Sequence, residues 1–286
     1  MRDDDVARLI IACPDRHGII ASLSQYLSAI GANIISSDQY STDPEGGRFF
    51  LRMEFHLDGL GGKYAQVEGG LSAIADPFGM EWRLTRAERR KRVVLFASRE
   101  DHCLLDLLWR WRRGELAMDV VAVVSNHPDL ESEVRPFDVE YHHVPVSAET
   151  KPAAEERQLE LIAGKVDLIV LARYMQILSV EFLQRAAVPV INIHHSFLPA
   201  FVGAKPYDQA HERGVKLIGA TAHYATEVLD EGPIIEQDVA RVSHRYTPEE
   251  LARIGRDIER VVLARAVSWH LDDRVLLDGN RTIVFS

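Results

Sequence analysis

The hydrophobic and polar positions divide the chain into two regions, and the first spans residues 1–86. Apolar residues at Ile20, Leu23, Leu27 and Ile30 have the spacing of an amphipathic helix, which Gly31 would end. The predicted elements are, in order, a strand at 7–13, this helix, strands at 33–41 and 49–57, a helix at 64–75 and a strand at 81–84. This βαββαβ order predicts one sheet with two helices packed against it.

The third strand-like run of this region alternates in polarity. Phe49, Leu51, Met53 and Phe55 occupy one face, whereas Arg52 belongs to the other. This pattern predicts that one face of the strand is buried. The preceding segment at 43–47 is rich in Pro and Gly and predicts a turn.

The second region alternates continuous apolar runs with helical segments. The runs lie at 93–97, 119–125, 139–144, 166–172, 188–194, 217–224 and 234–242. A long helix from 248 to about 270 and a hairpin at 275–285 complete it. Buried strands separated by helices predict an α/β fold with a doubly wound, mostly parallel sheet.

A polar, strongly basic segment separates the two regions. We interpret residues 87–92 as a solvated linker between a first domain at 1–86 and a second at 93–286. A basic run also occurs in nucleic-acid-binding proteins, but the formal net charge of the chain is −10, which argues against a nucleic acid or an anionic membrane as partner.

Composition narrows the class of protein further. The chain has 286 residues, of which 47% are hydrophobic and 27% charged, and no apolar run is long enough to cross a bilayer. The N-terminus is charged where a secretory signal would be apolar, so we expect a cytoplasmic protein. Cys13 and Cys103 are far apart in sequence and are expected to be buried thiols.

The candidate chemistry lies where the run at 188–193 stops at two histidines. In open α/β sheets, ligands bind at the carboxyl ends of the strands. An amide, an imidazole and a later carboxylate, here Asn192, His194 and Asp230, are the groups that acyl transfer needs as oxyanion donors and acid/base. We expect His195 and His223 to belong to the substrate-binding site and to support these groups by orienting water or Asp230.

Other interpretations of these residues stay open at this point. Asn192 alone would suit a turn cap, and the His/Asp cluster would suit a metal ion. Ser196 lacks the sequence pattern of a nucleophile elbow. The first strand of the second region is followed by 98–102, which contains no glycine, so neither a dinucleotide nor a nucleoside triphosphate is indicated.

The first region resembles the ACT domain family, which has a ferredoxin-like βαββαβ fold. The resemblance rests on the element order and on the turn Cys-Pro-Asp-Arg-His-Gly after the first strand. It implies assembly or the binding of a small amino acid, with Asp15, Arg16, His17 and Gly18 as candidate ligands. A helix N-terminus suits a carboxylate, although Asp15 and Gly18 would also serve simply to shape the turn.

The second region resembles the folate-dependent formyltransferase fold from Leu171 onward. The matching segments are 172–178, the N-x-H at 192–194, the S-x-L-P at 196–199, the T-x-H at 221–223 and the D-x-G-P at 230–233. The resemblance implies a cis proline at Pro199 and a pterin slot built by Arg173, Tyr174, Met175, Gln176, Ile177 and Leu178. Apolar members of that slot would also suit a core. Lys205 and Tyr207 are candidates for its border.

An ACT-like domain joined to this fold, with doubled histidines, is similar to the formyltetrahydrofolate deformylase family. The resemblance implies hydrolysis of 10-formyltetrahydrofolate to tetrahydrofolate and formate, in one-carbon metabolism and purine biosynthesis. It implies no cofactor, no metal, and a homo-oligomer such as a tetramer or hexamer. Two alternatives remain: formyl transfer to an amine, and a non-catalytic amino-acid sensor with a degenerate folate site.

Overall fold

The structure is a computed structural model that describes residues 3–43, 45–199 and 206–286. Pro44 of the predicted turn and Lys205 lie outside the described residues. The strands are β1 Val6–Pro14, β2 Asn33–Ser41, β3 Arg48–His56, β4 Glu81–Arg86, β5 Lys91–Ala97, β6 Met118–Ser125, β7 Tyr141–His143, β8 Leu168–Leu171, β9 Val190–His194, β10 Leu217–Tyr224, β11 Ile234–Arg241, β12 Val275–Asp278 and β13 Arg281–Val284. The helices are α1 Ile19–Ala29, α2 Leu60–Phe78, α3 His102–Arg112, α4 Glu131–Val134, α5 Lys151–Ile162, α6 Val180–Ala186, α7 Pro206–Glu212 and α8 Pro248–Leu271.

The first unit has the predicted βαββαβ order. Its four-stranded sheet runs β2-β3-β1-β4, and the pairs β1–β3, β1–β4 and β2–β3 are antiparallel. Leu23 and Leu27 of α1 and Val67 of α2 join residues such as Leu9 and Ile11 of β1 in one core. Burial of these apolar faces explains why the helical and strand periodicities coexist here. The ferredoxin-like fold is therefore confirmed.

The predicted buried face of β3 is confirmed, and part of its second face is buried as well. Phe50 is fully buried and Arg52 is only 2% exposed. The Arg52 guanidinium donates to Glu54 Oε1 at 2.8 Å and to the backbone oxygen of Asp272 at 3.0 Å. A buried cation is tolerated because it is paired and hydrogen-bonded. Residues from the end of the chain therefore complete this unit.

The boundaries at 1–86, 87–92 and 93–286 need correction. Residues 272–278 and 283–286 group with the first unit rather than the second. The physical reason is an ionic contact: Asp273 is buried and accepts hydrogen bonds from Arg83 at 2.6 Å and from Thr85 at 3.1 Å. The linker is also shorter than expected, because Lys91 and Arg92 already belong to β5.

The second unit contains the expected mostly parallel sheet. Its strand order is β11-β10-β9-β8-β5-β6-β7. The five strands from β9 to β7 are parallel to their neighbours, whereas β10 and β11 are antiparallel additions at one edge. The central strands β5 and β8 are apolar and buried over most of their length, as strands covered on both faces must be.

This topology brings residues from three strands together at the carboxyl ends of β8 and β9. The neighbouring parallel strands β8 and β9 end close together, so Arg173 and His195, which follow them, meet at their carboxyl ends. The antiparallel strand β10 then brings His223 directly opposite Asn192. The candidate chemistry is thereby gathered from three strands.

Two further expectations concern single features of the chain. Cys13 and Cys103 are both buried and free, as predicted. Within the described ranges, no helix is both long and apolar enough to cross a membrane.

Candidate active site

The first element of the site is a cross-strand pair between β9 and β10. Asn192 Nδ2 lies 3.2 Å from His223 Nε2, and His223 Nδ1 lies 3.0 Å from the backbone oxygen of Tyr224. A carbonyl oxygen only accepts, so Nδ1 carries the proton that it donates. Burial lowers the pKa of His223, which keeps the ring neutral. Its Nε2 therefore accepts a hydrogen bond from the Asn192 amide.

This pair fixes the orientation of the Asn192 side chain. Rotating the amide by 180° would place its oxygen against the lone pair of His223 Nε2, which is repulsive. The amide nitrogen is thus held next to His223, and its second N–H is available for a ligand in the pocket. His223 acts as the support of Asn192.

The second element is the contact between His194 and Asp230. His194 Nδ1 lies 3.3 Å from Asp230 Oδ1, and His223 Nε2 lies 3.8 Å from the same oxygen. The hydrogen bond from His194 is the main cause that lowers the pKa of Asp230, and the positive charge of a protonated ring adds to it. Asp230 is therefore a carboxylate, and it is placed to stabilise an imidazolium at His194.

The chain between β10 and β11 carries Asp230 into this position. Asp230 has a positive φ of 59°, a conformation that costs a non-glycine residue free energy and is often found at functional sites. A Cβ on Gly232 would lie 1.7 Å from the backbone oxygen of Tyr224. The loop closes with Tyr224 N donating to the Pro233 oxygen at 2.9 Å. Glycine is therefore required at position 232 for the carboxylate to reach His194.

Two buried polar atoms of the pocket residues lack a hydrogen bond within the described part of the chain, Arg173 Nε and His194 Nε2. His194 is 6% exposed, and its Nε2 has no hydrogen bond to any part of the chain that the structure describes. Buried polar atoms are nearly always paired, so an unpaired one next to a cavity indicates a ligand site.

A cavity of about 440 Å³ adjoins these residues. Its size is that of a small-molecule site, and its lining is mostly apolar. Met175, Ile177, Val228 and Leu229 are each more than half exposed at its walls. All the predicted slot residues from Arg173 to Leu178 line it, together with Asn192, His194, His195, His223 and Asp230.

Tyr174 contributes to the slot differently from its neighbours. Its ring is buried and packs edge-on against Phe96, with ring centroids 5.3 Å apart, and its hydroxyl accepts a hydrogen bond from Gln158 at 2.9 Å. Burial raises the pKa of Tyr174 to about 12. Its side chain is thus a core anchor that positions the backbone of the pocket segment.

Sequence reasoning missed the residue that holds this segment from the other side. Met175 N donates to Ser98 Oγ at 2.9 Å, and Ser98 Oγ donates to Asn126 Oδ1 at 2.7 Å. Ser98 lies in the glycine-free stretch after β5. The sequence of this stretch indicates only that a phosphate-binding loop is missing there. Its contact with Met175 joins residues 77 positions apart, which no local pattern signals.

The missed charge at the back of the site is Glu259 of α8. It is 1% exposed, accepts hydrogen bonds from Tyr207 at 2.7 Å and from His102 at 2.8 Å, and lies 3.4 Å from Arg173 Nε. Burial acts to raise its pKa, but His102, Arg173 and Tyr207 together lower it. A signal did exist: a glutamate on the apolar stripe of an amphipathic helix is unusual.

The predicted residues of the first unit lie in an exposed turn. Asp15 accepts a hydrogen bond from Ser41, and its backbone N–H donates to Gly47 at 2.8 Å. Gly18 has a φ of 91° and precedes α1, while Arg16 and His17 are exposed. These contacts account for the shape of the turn. Amino-acid binding there stays a prediction.

The metal interpretation finds no support in the grouping of ligand atoms. Among described residues, the groups whose ligand atoms lie within 4.8 Å of one another are His102, Cys103 and Glu259, and Asp5, His56 and Asp58. In the first group, burial raises the pKa of Cys103, which disfavours the thiolate that metals bind. The residues around Asp230 do not form such a group.

The fold and the site define a class of protein. Residues 91–267 match the family described as formyl transferase. A glycinamide ribonucleotide transformylase from Symbiobacterium toebii has a similar structure, with a TM-score of 0.63, 30% identity, and coverage of 69% of this chain and 95% of that one.

Relatives that match the whole chain narrow the class. The formyltetrahydrofolate deformylase of Mycobacterium bovis is 60% identical over 282 residues, which cover 98% of this chain and 91% of that protein. A formyltetrahydrofolate deformylase structure from Pseudomonas syringae has a TM-score of 0.94 and 51% identity, and the match covers 98% of this chain and 94% of that one. The chain belongs to the formyltetrahydrofolate deformylase family.

Proposed function

We propose that the chain hydrolyses 10-formyltetrahydrofolate to tetrahydrofolate and formate, with Asn192, His194 and Asp230 as the catalytic residues. The observation that carries the assignment of these residues is their convergence at one end of an apolar cavity, with an unpartnered His194 Nε2 beside a paired carboxylate. The whole-chain relatives named above support the reaction.

The oxyanion is stabilised by two donors. Attack on the formyl carbon places negative charge on its oxygen. Asn192 donates its second N–H, which is free because His223 holds the first. His194 in its protonated form donates Nδ1–H to Asp230 and Nε2–H to the oxyanion, and such a charge-assisted bond is stronger than a neutral one.

Proton transfer is the task of Asp230. The water oxygen forms a bond to the formyl carbon while one of its protons passes to the carboxylate. The bond between that carbon and N10 then breaks, and the same proton is delivered to N10 as it leaves. No covalent enzyme intermediate is required, and the carboxylate is regenerated at the end.

The pterin ring is held by the apolar walls of the cavity. Met175 and Ile177 on one segment and Val228 and Leu229 on another offer exposed apolar surface to a flat ring. Backbone groups of residues 173–178 supply polar partners, and Ser98 keeps that segment in place through its bond to Met175. Only a few polar groups are needed to orient a ligand in such a site.

Formate release without an added acceptor tests this function. Purified protein is incubated with 10-formyltetrahydrofolate, and formate and tetrahydrofolate are both measured. We expect the two products in equal amounts over many turnovers. Formyl transfer that occurs only when an amine is supplied would replace this proposal with the transferase alternative, and binding of folate without any turnover would indicate a sensor.

The first unit supplies assembly or amino-acid regulation in this proposal. Its ferredoxin-like fold and the exposed turn before α1 support such a role. We expect removal of residues 1–86 to alter the oligomeric state, for which a tetramer or hexamer is our expectation. Titration of glycine or methionine during thermal unfolding measures the regulatory ligand. A cytoplasmic location also belongs to this proposal.

A further inference from the structure

His195 is the third histidine of the pocket, after His194 and His223. It directly follows β9 and lines the cavity together with His194 and Arg173. Its two neighbours in the site are engaged: His194 contacts Asp230, and His223 contacts Asn192 and the Tyr224 backbone. Neither ring nitrogen of His195 makes a hydrogen bond to another residue of the described ranges. A polar ring in this position is free to hold a ligand atom.

The ring of His195 is nevertheless held in place by packing. The His194 ring lies 5.3 Å from it and the Tyr207 ring 6.3 Å, measured between centroids. Tyr207 is itself anchored, since its hydroxyl donates to the buried carboxylate of Glu259 at 2.7 Å. That carboxylate also takes a hydrogen bond from His102 at 2.8 Å. The buried glutamate therefore fixes one wall against which His195 rests.

The environment keeps His195 neutral. Burial and the nearby positive charge of Arg173 lower the pKa of His195 to about 4, so the ring is uncharged at neutral pH. A neutral imidazole has one nitrogen that accepts a hydrogen bond and one that donates. It can therefore accept from water, which an imidazolium cannot.

Hydrolysis needs a second group that holds water. Asp230 takes one proton, and its Oδ1 is already in contact with His194. A water molecule has a second O–H, and its direction decides whether the oxygen lone pair points at the formyl carbon. His195 offers a neutral acceptor that has no partner among the described residues, and it lies next to His194 in the lining of the pocket.

We propose that His195 holds the attacking water by accepting a hydrogen bond from its second O–H, while Asp230 takes the proton from the first. This inference rests on the proposed function and adds to it the residue that makes water the acceptor. His195 takes no proton in the step: the oxygen–carbon bond forms, the carbon–N10 bond breaks, and the proton travels through Asp230 as before.

The test compares two acceptors. Hydroxylamine attacks a formyl carbon with a more nucleophilic lone pair than water has, so it depends less on being positioned. Wild type and His195→Phe are given 10-formyltetrahydrofolate with hydroxylamine, and formate and formohydroxamate are measured after subtraction of an enzyme-free blank. We expect the hydroxamate-to-formate ratio to rise about tenfold in His195→Phe, since one hydrogen bond to water is lost. His195→Gln, which keeps an acceptor, should restore part of the wild-type ratio.

Two controls separate this role from a structural one. His142→Phe makes the same replacement on β7, outside the pocket lining, and should leave both the ratio and the rate unchanged. Thermal unfolding and tetrahydrofolate binding show whether His195→Phe is folded. Should it not fold, His195→Gln and His195→Asn are compared in its place, and the shorter amide is expected to give the higher ratio.

If formate and formohydroxamate fall together in His195→Phe, so that their ratio stays at the wild-type value, the inference is overturned. The roles proposed for Asn192, His194 and Asp230 would not be affected by that result. Loss of the proposed function looks different, because wild type itself would then release no formate in the absence of an amine. The two failures are therefore distinguishable in one set of assays.

Discussion

Two regions of the molecule contain buried charged groups. In one region they stabilise the fold, and in the other they lie at the candidate site. In the first unit, Arg52 pairs with Glu54 within the sheet, and the buried Asp273 of the C-terminal segment pairs with Arg83. In the second, His194 and Asp230 pair beside a cavity, and His194 Nε2 is left without a partner. Burial of charge alone is therefore a poor sign of function. An unsatisfied buried atom next to open space is the better sign.

The electrostatics of the two regions show the same contrast. Burial acts to raise the pKa of Glu54, but hydrogen bonds and charges from Arg8 and Arg52 lower it. Asp230 has a lowered pKa chiefly through one hydrogen bond from His194. The carboxylate of the first region is paired with arginines, whereas the carboxylate at the cavity is paired with a histidine ring.

The largest expected effect comes from Asp230→Asn. It removes the proton acceptor and keeps the shape of the side chain, and asparagine tolerates the positive φ of this position. We expect kcat for formate release to fall by about a thousandfold or more. Binding of tetrahydrofolate, followed by calorimetry, should stay within about threefold of wild type, since the isosteric change keeps the shape of the pocket.

Turnover at the wild-type rate in Asp230→Asn would contradict the mechanism. Glu231→Gln provides the matched control, because it removes a neighbouring carboxylate of the same loop that is absent from the cavity lining. Its kcat should match that of wild type. The pair of variants thus separates loss of one particular base from a general change in loop charge.

Arg52→Met should destabilise the first unit by a free energy comparable to the loss of transition-state stabilisation in Asp230→Asn. The catalytic step itself should not change. The guanidinium is 2% exposed and donates to Glu54 and to the Asp272 backbone, so its removal leaves the Asp272 oxygen without this donor and Glu54 with Arg8 alone of these two cations. We expect the free energy of unfolding to drop by about 3 kcal/mol. Urea denaturation measures this loss, and kcat of the folded enzyme should not change. A parallel loss of kcat would show that the ion pairs of the first unit also affect the reaction.

Asn192→Ala tests the weaker of the two oxyanion donors. The loss of one such donor lowers kcat by about a hundredfold. KM should change little, because the contact forms fully only as charge develops on the oxygen. Steady-state kinetics gives both values. A rise in KM with kcat unchanged would instead assign Asn192 to ground-state binding.

The sequence predicts most elements of this protein because their patterns are local. The bounds of β2 and β10 are those expected from their residues, and the doubly wound sheet follows from alternating apolar runs and helices. The motif around Asn192, His194 and Asp230 also lies in short segments. Such local patterns predict which residues belong to the site and whether each lies on a strand or in a loop.

Contacts between distant positions could not be predicted in this way. Burial of Arg52 depends on Asp272, 220 residues later, and the support of Asn192 by His223 depends on the antiparallel register of β9 and β10. The need for glycine at 232 follows from the closeness of the Tyr224 oxygen. Each is a matter of packing in three dimensions, so it becomes visible only once the strands have been placed.

The smallest effect we predict is a dependence of stability on pH that originates in the second region. The pKa of His195 is about 4 in the folded protein, against an ordinary value near 6.5 when unfolded. Between these values the unfolded chain binds more protons, so the free energy of unfolding falls as pH drops below about 6.5. Asp230 contributes in the same direction but only at lower pH, because its lowered pKa lies below the ordinary aspartate value.

His195→Gln isolates this contribution. From pH 7 to pH 5.5, wild type should lose about 1.2 kcal/mol more free energy of unfolding than the variant, because the unfolded histidine becomes protonated in this range and the folded one does not. Urea denaturation of both proteins at the two pH values gives the difference. Equal losses would mean that His195 titrates in the folded protein as it does in the unfolded chain. It would then be charged in mild acid and unable to accept a hydrogen bond from water there. If the difference is found, the acid limb of the hydrolysis rate must come from groups other than His195, down to about pH 4.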